Sequence, residues 1–268
     1  MFNTEKLKQL TLQVTKLARE AGDFQLTELK NFELSRIEHK GRGNDLVSYV
    51  DKETEKMLIT GLSKLVPEAG FETEEGTVEQ TVKGLRWVID PLDGTTNFLH
   101  KIPAFSVSIA LVDDDDLLIG VVHEPSRNEC FYAWKNGGAY MNGETIEVSK
   151  IDNMGDALIG TGFPYSLRGK SDEYFAIIRH IVETTHGARR LGSAAIDLCY
   201  VACGRFEAYF EFNLKPWDVA AGILIVREAG GMVSNYSGGP DRCQTAEEVC
   251  AASTAIHPAM IEVLQKYW

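Results

Sequence analysis

The segment Trp87-Val-Ile-Asp-Pro-Leu-Asp-Gly-Thr-Thr-Asn-Phe98 constrains the fold more than any other part of the chain. Trp87, Val88 and Ile89 form a short apolar run that predicts a buried strand, and two carboxylates, Asp90 and Asp93, stand at its end. Pro91 removes a backbone donor and fixes φ, while Gly94 permits an unusual backbone and a close approach. The strand is therefore expected to give way to a turn that aims both acids at one spot. A helix starting after that turn would direct the N–H groups of Gly94, Thr95 and Thr96 at the same spot, with the positive end of its dipole behind them. Two hard oxygen ligands beside an anion cradle suit a divalent cation together with a phosphate. The same residues also make an ordinary strand-to-helix turn in which Asp93 or Thr95 is only a cap, and the string alone does not separate the two readings.

Around this segment the hydrophobic pattern predicts two halves. From Glu5 to about Phe32, Leu7, Leu10, Val14, Leu17, Ala18 and Ala21 recur at helical spacing, which predicts a long amphipathic helix broken near Gly22-Asp23. His39-Lys-Gly-Arg-Gly-Asn-Asp45 is polar and glycine-rich, a loop carrying Lys40 and Arg42 that is either a lid or a solvated connection. An apolar segment then ends on Asp51, and residues 52–66 form a helix with Leu58, Leu62 and Leu65 on one side; Asp51 caps it or serves a site. Glu72, Glu74 and Glu75 fall in what reads as a turn, either a solvated cluster or one with an acid turned inward onto a metal. Residues 105–112, 117–123, 129–134 and 144–149 read as strands of an antiparallel meander, with turns at Asn136-Gly-Gly138 and Asn142-Gly143. The four aspartates 113–116 are expected to keep a hairpin tip hydrated rather than to bind metal.

From about residue 152 the rhythm changes. Strands at 157–162, 205–212, 232–234 and 249–253 alternate with helices at 171–185, 192–204, 217–230 and after His257-Pro258. This predicts an α/β half, residues 152–268, packed directly against an α+β half, residues 1–151, with no linker and no repeat. Lys215-Pro-Trp-Asp218 opens one of these helices with an acid in its first turn. Alone, Asp218 complements the helix dipole. With Asp90 and Asp93 it is a third carboxylate at an element end, and such a set cannot stay ionised at close range without cations.

Charge sharpens that inference. With 27 basic against 39 acidic side chains the net charge is −12, which argues against nucleic acid as the main partner. An anionic substrate would need a local reversal of the field, which bound metal ions supply. The five cysteines, Cys130, Cys199, Cys203, Cys243 and Cys250, are odd in number and lack CxxC pairing, so reduced thiols are expected. No apolar run of about 18 residues and no N-terminal signal pattern is seen, so a cytoplasmic location without membrane insertion is expected. Asn235-Tyr-Ser237 is then simply a loop. Neither a Gly-x-Ser-x-Gly elbow nor a Walker-type lysine loop is present, so nothing points to a serine nucleophile or a nucleotide-dependent kinase.

Residues 87–98 followed by 217–231 resemble the two signatures of the inositol monophosphatase family, within the Mg²⁺-dependent, lithium-sensitive phosphatases. The resemblance runs nearly the length of the chain: Lys40 eleven residues before Asp51, Glu74-Glu75, Gly160-Thr-Gly-Phe-Pro164, Gly192-Ser-Ala-Ala195 and Phe210-Glu211 follow in the family's order. It implies a layered αβαβα, carbohydrate-phosphatase-like fold of mixed α+β and α/β character. It implies Mg²⁺-dependent hydrolysis of a small polyol or sugar phosphomonoester, myo-inositol 1-phosphate first, with Mn²⁺ as a substitute and Ca²⁺ and Li⁺ as inhibitors. Glu74, Asp90 and the Leu92 carbonyl would hold one ion, and Asp90, Asp93 and Asp218 a second, with a weaker third on Glu74. Gly94 and Thr95 would take the phosphate, and Thr95 with Asp51 would orient or deprotonate the attacking water. Glu211, Asp218 and the backbone near Ala194 would face the substrate, with Lys40 on the loop above. A homodimer is implied as well. Thr73 and Asn213 depart from the family pattern, since glycine often occupies both places; the first bears on how Glu74 is set, the second on substrate choice. Two rivals stay open: a phosphatase for fructose 1,6-bisphosphate or 3′-phosphoadenosine 5′-phosphate, and a regulatory protein of the same fold that contacts the transcription machinery.

Overall fold

The computed structural model describes residues 2–31, 37–39, 46–164, 166–240 and 246–268; Lys40, Arg42 and Cys243 lie outside them. Helix α1 (Thr4–Asn31) buries Leu7, Leu10, Val14, Ala18 and Ala21. It runs through Gly22-Asp23 without the expected break. The reason is packing: a Cβ on Gly22 would stand 2.7 Å from the His123 ring, so the missing side chain lets the helix lie directly on the sheet. Strands β1 (Ile37–His39) and β2 (Leu46–Ser48) pair antiparallel. Helix α2 (Tyr49–Leu65) follows at once, so Asp51 lies within its first turn instead of ahead of it.

Seven strands, β3 (Gly70–Thr73), β4 (Leu85–Asp93), β5 (Ser106–Asp113), β6 (Asp116–Glu124), β7 (Glu129–Trp134), β8 (Ala139–Met141) and β9 (Glu144–Ile146), form one sheet in sequential order. All neighbours are antiparallel except β3, which runs parallel to β4. Residues 70–73 are thus a strand, not the turn expected from their acids. Phe71 and Thr73 point inward, while Glu72 pairs with the buried Arg86 at 2.8 Å. The three-residue strand β8 gave no sequence signal of its own between two turn motifs. After β4 comes the five-residue helix α3 (Thr95–Leu99).

The second sheet has the order β11-β10-β12-β14-β13, from β10 (Leu158–Thr161), β11 (Gly187–Arg189), β12 (Ala208–Phe212), β13 (Met232–Ser234) and β14 (Glu248–Ala252). Helices α4 (Ser171–Thr184), α5 (Ala194–Ala202), α6 (Pro216–Glu228) and α7 (His257–Tyr267) accompany it. Three cores define five layers. Val14, Leu58, Leu62, Trp87 and Ile109 join α1 and α2 to the outer face of the seven-stranded sheet. Val88, Val122, Leu198, Ile223 and Tyr209 fill the space between the sheets, where α5 and α6 lie. Ile177, Ile181, Phe210, Met260 and Leu264 seat α4 and α7 on the far face of the five-stranded sheet. The result is the expected αβαβα sandwich. A helix between two sheets must be apolar nearly all round, which is why 219–226 is unbroken Val, Ala, Gly, Ile and Leu. Each fully buried aliphatic side chain of this kind contributes about 1.5–3 kcal/mol. Gly120 brings α6 closest: a Cβ there would be 2.6 Å from the Ala221 carbonyl oxygen.

Candidate active site

Asp93 stands three positions beyond Asp90, an odd step that would send the two to opposite faces of a regular strand. Strand β4 continues through Pro91 to Asp93, beyond the point where the sequence predicted a turn. It does so with a bulge: Asp90 pairs with Ser108 and Asp93 with Ser106, so three steps on one strand match two on the other. That extra residue returns both acids to the same face. Gln25 of α1 holds the bulge by donating to the Pro91 carbonyl at 2.6 Å. Gly94 follows with φ 96° and ψ 35°, where a Cβ would also meet the Ala104 carbonyl at 2.9 Å. Only glycine fits that place.

The remaining pieces arrive from other layers. Glu74 follows directly on β3, its N–H bonded to the Ile89 carbonyl at 3.2 Å. The turn after it is fixed by buried Glu55 of α2, which accepts from the N–H groups of Glu75 at 2.8 Å and Thr77 at 2.7 Å. One turn earlier on α2, Asp51 accepts a hydrogen bond from the Thr95 hydroxyl at 3.1 Å; the same hydroxyl lies 3.1 Å from the Leu92 carbonyl. Asp218 sits in the first turn of α6, where it accepts from the Lys215 N–H at 2.7 Å, so it is a cap and a cavity residue at once. The start of α6 is fastened to β5 by Ser108, whose hydroxyl donates to the Trp217 carbonyl.

These elements enclose a cavity of about 380 Å³ whose lining includes Glu74, Asp90, Leu92, Asp93, Gly94, Thr95, Ala194, Glu211 and Asp218. Every described residue that the sequence singled out for the site lines it, except Asp51, which touches it through Thr95. Lys40 lies outside the described residues.

The electrostatics follow from crowding. Burial, then Glu74, Asp93 and Asp218, push the Asp90 carboxyl well above the usual range. Burial, Asp93 and Glu74 do the same to Asp218. Burial lifts Asp93 to about 6, opposed by hydrogen bonds from Ser193 and Ala195 and by Arg190. Burial lifts Glu211 to about 7, opposed by the Tyr209 hydroxyl. The approach of the Glu74 carboxyl to that of Asp90 raises Asp90 further. Among the described residues no three acids already close on one point as a finished ligand set. The donor set nevertheless fits hard divalent cations: it is all oxygen, it is held at element ends, and a bound cation would offset the burial, and for Asp90 and Asp218 the mutual repulsion, that disfavours the charged carboxylates.

Several contributors gave no local signal. Ser193 caps α5 and donates to Asp93 Oδ2 at 2.7 Å, beside the Ala195 N–H at 2.8 Å. Asn97 ties α3 to the other half through the Leu191 carbonyl at 2.8 Å. Arg190 and Phe163 stand at the rim, the guanidinium 5.7 Å from the ring centre. Asp197 is fully buried behind the cavity, pushed up by burial, Glu211 and Asp93.

The layered fold and the acid-lined cavity at the junction of its halves define a carbohydrate-phosphatase-like protein. Known proteins place it further. The model of the inositol monophosphatase family matches residues 6–268, and the chain belongs to that family. An inositol-1-monophosphatase of Mesorhizobium japonicum is 41% identical over 240 residues, covering 89% of this chain and 88% of its own. The Nus factor SuhB of Escherichia coli K12 is 40% identical over 247 residues, covering 91% of each chain. Among solved structures, inositol monophosphatase from Anabaena sp. PCC 7120 superposes with a TM-score of 0.87 at 33% identity, covering 98% of this chain and 97% of its own. The extragenic suppressor protein SuhB of Bartonella henselae gives 0.86 at 38% identity, covering 94% and 96%.

Proposed function

We propose that the protein hydrolyses a small polyol phosphomonoester, myo-inositol 1-phosphate in the first place, with Mg²⁺ held by its carboxylates. The observation that carries this reading is the meeting of Glu74, Asp90, Asp93 and Asp218, from β4, α6 and the turn after β3, around one cavity that also exposes Gly94 and Thr95. Glu74, Asp90 and the Leu92 carbonyl would hold one ion and Asp90, Asp93 and Asp218 another, with a third, weaker place at Glu74. Bound there, Mg²⁺ supplies charge compensation for the phosphoryl group and acidifies the attacking water.

The chain's own groups divide the rest of the work. The N–H groups of Gly94 and Thr95 are placed to donate to phosphate oxygens at the first turn of α3; in so short a helix the direct hydrogen bonds count for more than the dipole. The Thr95 hydroxyl, its proton engaged by Asp51, presents a lone pair to a water hydrogen and holds that water in line with phosphorus, and Asp51 is the base that takes up the proton. Glu211, Asp218 and the Ala194 backbone face the alcohol portion of the substrate. The cavity volume suits a molecule of hexitol-phosphate size.

Relatives named Nus factor, in Escherichia coli and in Neisseria meningitidis serogroup B at 40% identity, support a second reading in which the same fold contacts the transcription machinery. Phosphate release from a panel of monophosphates and fructose 1,6-bisphosphate, with and without Mg²⁺, tests the first reading. Mg²⁺-dependent release led by inositol 1-phosphate is expected; no release from any of them leaves the contact role ahead. A homodimer belongs to the proposal too. Phe163, Phe175 and Val182 are more than half exposed near β11, an edge strand, and a second copy would cover them; light scattering reads the mass. No helix among the described residues is long and apolar enough to cross a membrane. Cys130, Cys199, Cys203 and Cys250 are free thiols, which suits the proposed cytoplasmic location.

A further inference from the structure

Glu211 is the cavity acid whose hydrogen-bond partner and closest backbone neighbour, Tyr209 and Gly162, both come from the second half of the chain. Strand β12 puts Tyr209 two residues before it, on the same face of the sheet. The Tyr209 hydroxyl donates to Glu211 Oε2 at 2.5 Å. Oε1 accepts no hydrogen bond from the described residues, although Glu211 lines the cavity. On the other flank lies Gly162, just past β10. A Cβ there would stand 1.9 Å from Oε2 and 2.1 Å from Oε1, so the carboxyl rests flat against a bare backbone. That backbone is itself fixed, because the buried Tyr174 hydroxyl donates to the Gly162 carbonyl at 2.9 Å.

We propose that Tyr209 and Gly162 are positioning residues for substrate choice: they hold the Glu211 carboxyl with one oxygen occupied and the other presented to the cavity as an acceptor for a polyol hydroxyl. The proposal rests on the phosphomonoester reading above and deepens it. Two physical points favour it over a purely packing role. Tyr209 is completely buried, where a phenylalanine would pack as well without a hydroxyl to desolvate, so the hydroxyl is retained for its partner. And Gly162 does not have the positive φ that would demand glycine for backbone reasons; what excludes a side chain there is the carboxyl itself. Fixing an acceptor in advance spares the ordering cost when a hydroxyl arrives, and a site built to bond a hydroxyl discriminates strongly against substrates that lack it. Asp197, Asp93, Arg190 and Tyr174 also face this carboxyl, and none of them bonds it.

The test compares two substrates on three single variants and one double. Phenyl phosphate is a phosphomonoester whose ring carries no hydroxyl; myo-inositol 1-phosphate carries five. Tyr209→Phe is expected to lower kcat/KM for inositol 1-phosphate about tenfold, mainly through KM, and to leave phenyl phosphate within about twofold. Gly162→Ala, which displaces the carboxyl instead of removing its donor, should give the same selective loss by an independent route. In a Glu211→Gln background, Tyr209→Phe should add no further discrimination. Equal losses on both substrates, or no loss on inositol 1-phosphate from either single variant, overturn the proposal. If Tyr209→Phe does not fold, Gly162→Ala decides alone. Wild-type enzyme that releases phosphate from neither substrate overturns the parent reading and this one with it, a result distinct from equal losses.

Discussion

Replacing Asp93 by asparagine separates a site role from a structural one. The Asp93 carboxyl sits at about 6 against an ordinary 3.8, chiefly because it is buried. A folded-state pKa above the unfolded one means that the folded protein binds more protons between those two values. Stability is therefore lost as pH rises from about 3.8 through about 6, and the whole cost is present at pH 8. At about 1.4 kcal/mol for each tenfold change it amounts to at most about 3 kcal/mol. Asparagine removes the charge but keeps one amide oxygen for the Ser193 hydroxyl and the Ala195 N–H, weakening those bonds by about 1 kcal/mol. The metal-free Asp93→Asn protein should thus gain about 1–2 kcal/mol at pH 8, a rise of about 3–6 °C in Tm, and gain little at pH 5. Its Mg²⁺-dependent phosphatase activity should fall by about 10³-fold. Thermal melts in EDTA at the two pH values, with phosphate release alongside, make the measurement. A Tm several degrees below wild type at pH 8 would refute the argument, since it would mean that the ionised carboxylate holds the fold together.

Three further outcomes follow from the same geometry. Metal-free wild-type protein should lose stability as pH rises from 6.5 to 8, because Glu211, lifted to about 7, completes its deprotonation there; His123, held down near 4 by burial, acts in the opposite sense but only below about 6.5. Mg²⁺ should restore more stability at pH 8 than at pH 6.5, and a response independent of pH in differential scanning fluorimetry would count against acids as the ligands. Thr95→Ala should cut kcat by about 10²-fold with KM changed less than about threefold, read from steady-state kinetics; a matched rise in KM would instead assign Thr95 to ground-state binding. Gly94→Ala should cost about 2 kcal/mol or more in urea unfolding, from its left-handed backbone and the 2.9 Å approach of the Ala104 carbonyl, and an unchanged midpoint would remove that constraint.

How much of this was legible in the sequence depends on the range over which each feature is encoded. Helical spacing fixed α1 because Leu7, Leu10, Val14 and Ala18 repeat locally, and a local rule also misled there: Gly22 reads as a break until the His123 ring that packs against it is seen. The acids at 70–76 read as a turn for the same reason, whereas pairing with β4 and the ion pair of Glu72 with Arg86 make residues 70–73 a strand. Asp90, Asp93 and Asp218 were recognisable from spacing and turn chemistry. Their meeting was not, because it is made by layer packing between Gly120 and Ala221 and by the hydrogen bond from Ser108 to the Trp217 carbonyl. Glu55, Ser193, Asn97 and Tyr209 were missed for one common reason: each acts through a partner distant in sequence or through a face of the sheet that composition does not mark.

The anchoring of the acids explains how a chain of net charge −12 tolerates them. Asp90 accepts from the Leu92 N–H at 2.9 Å, Asp93 from the Ala195 N–H at 2.8 Å and Asp218 from the Lys215 N–H at 2.7 Å. Each carboxyl is therefore held through one oxygen by a main-chain donor in its own or a neighbouring element, and those donors belong to the bulge of β4, the start of α5 and the start of α6. The three elements come from both halves of the chain, so the acids approach one another only when the two sheets and the helices between them have packed. Repulsion among the carboxylates is then borne by the apolar core instead of by the site itself. Any cation that enters removes that repulsion and reverses the local field that an anionic phosphoester must cross.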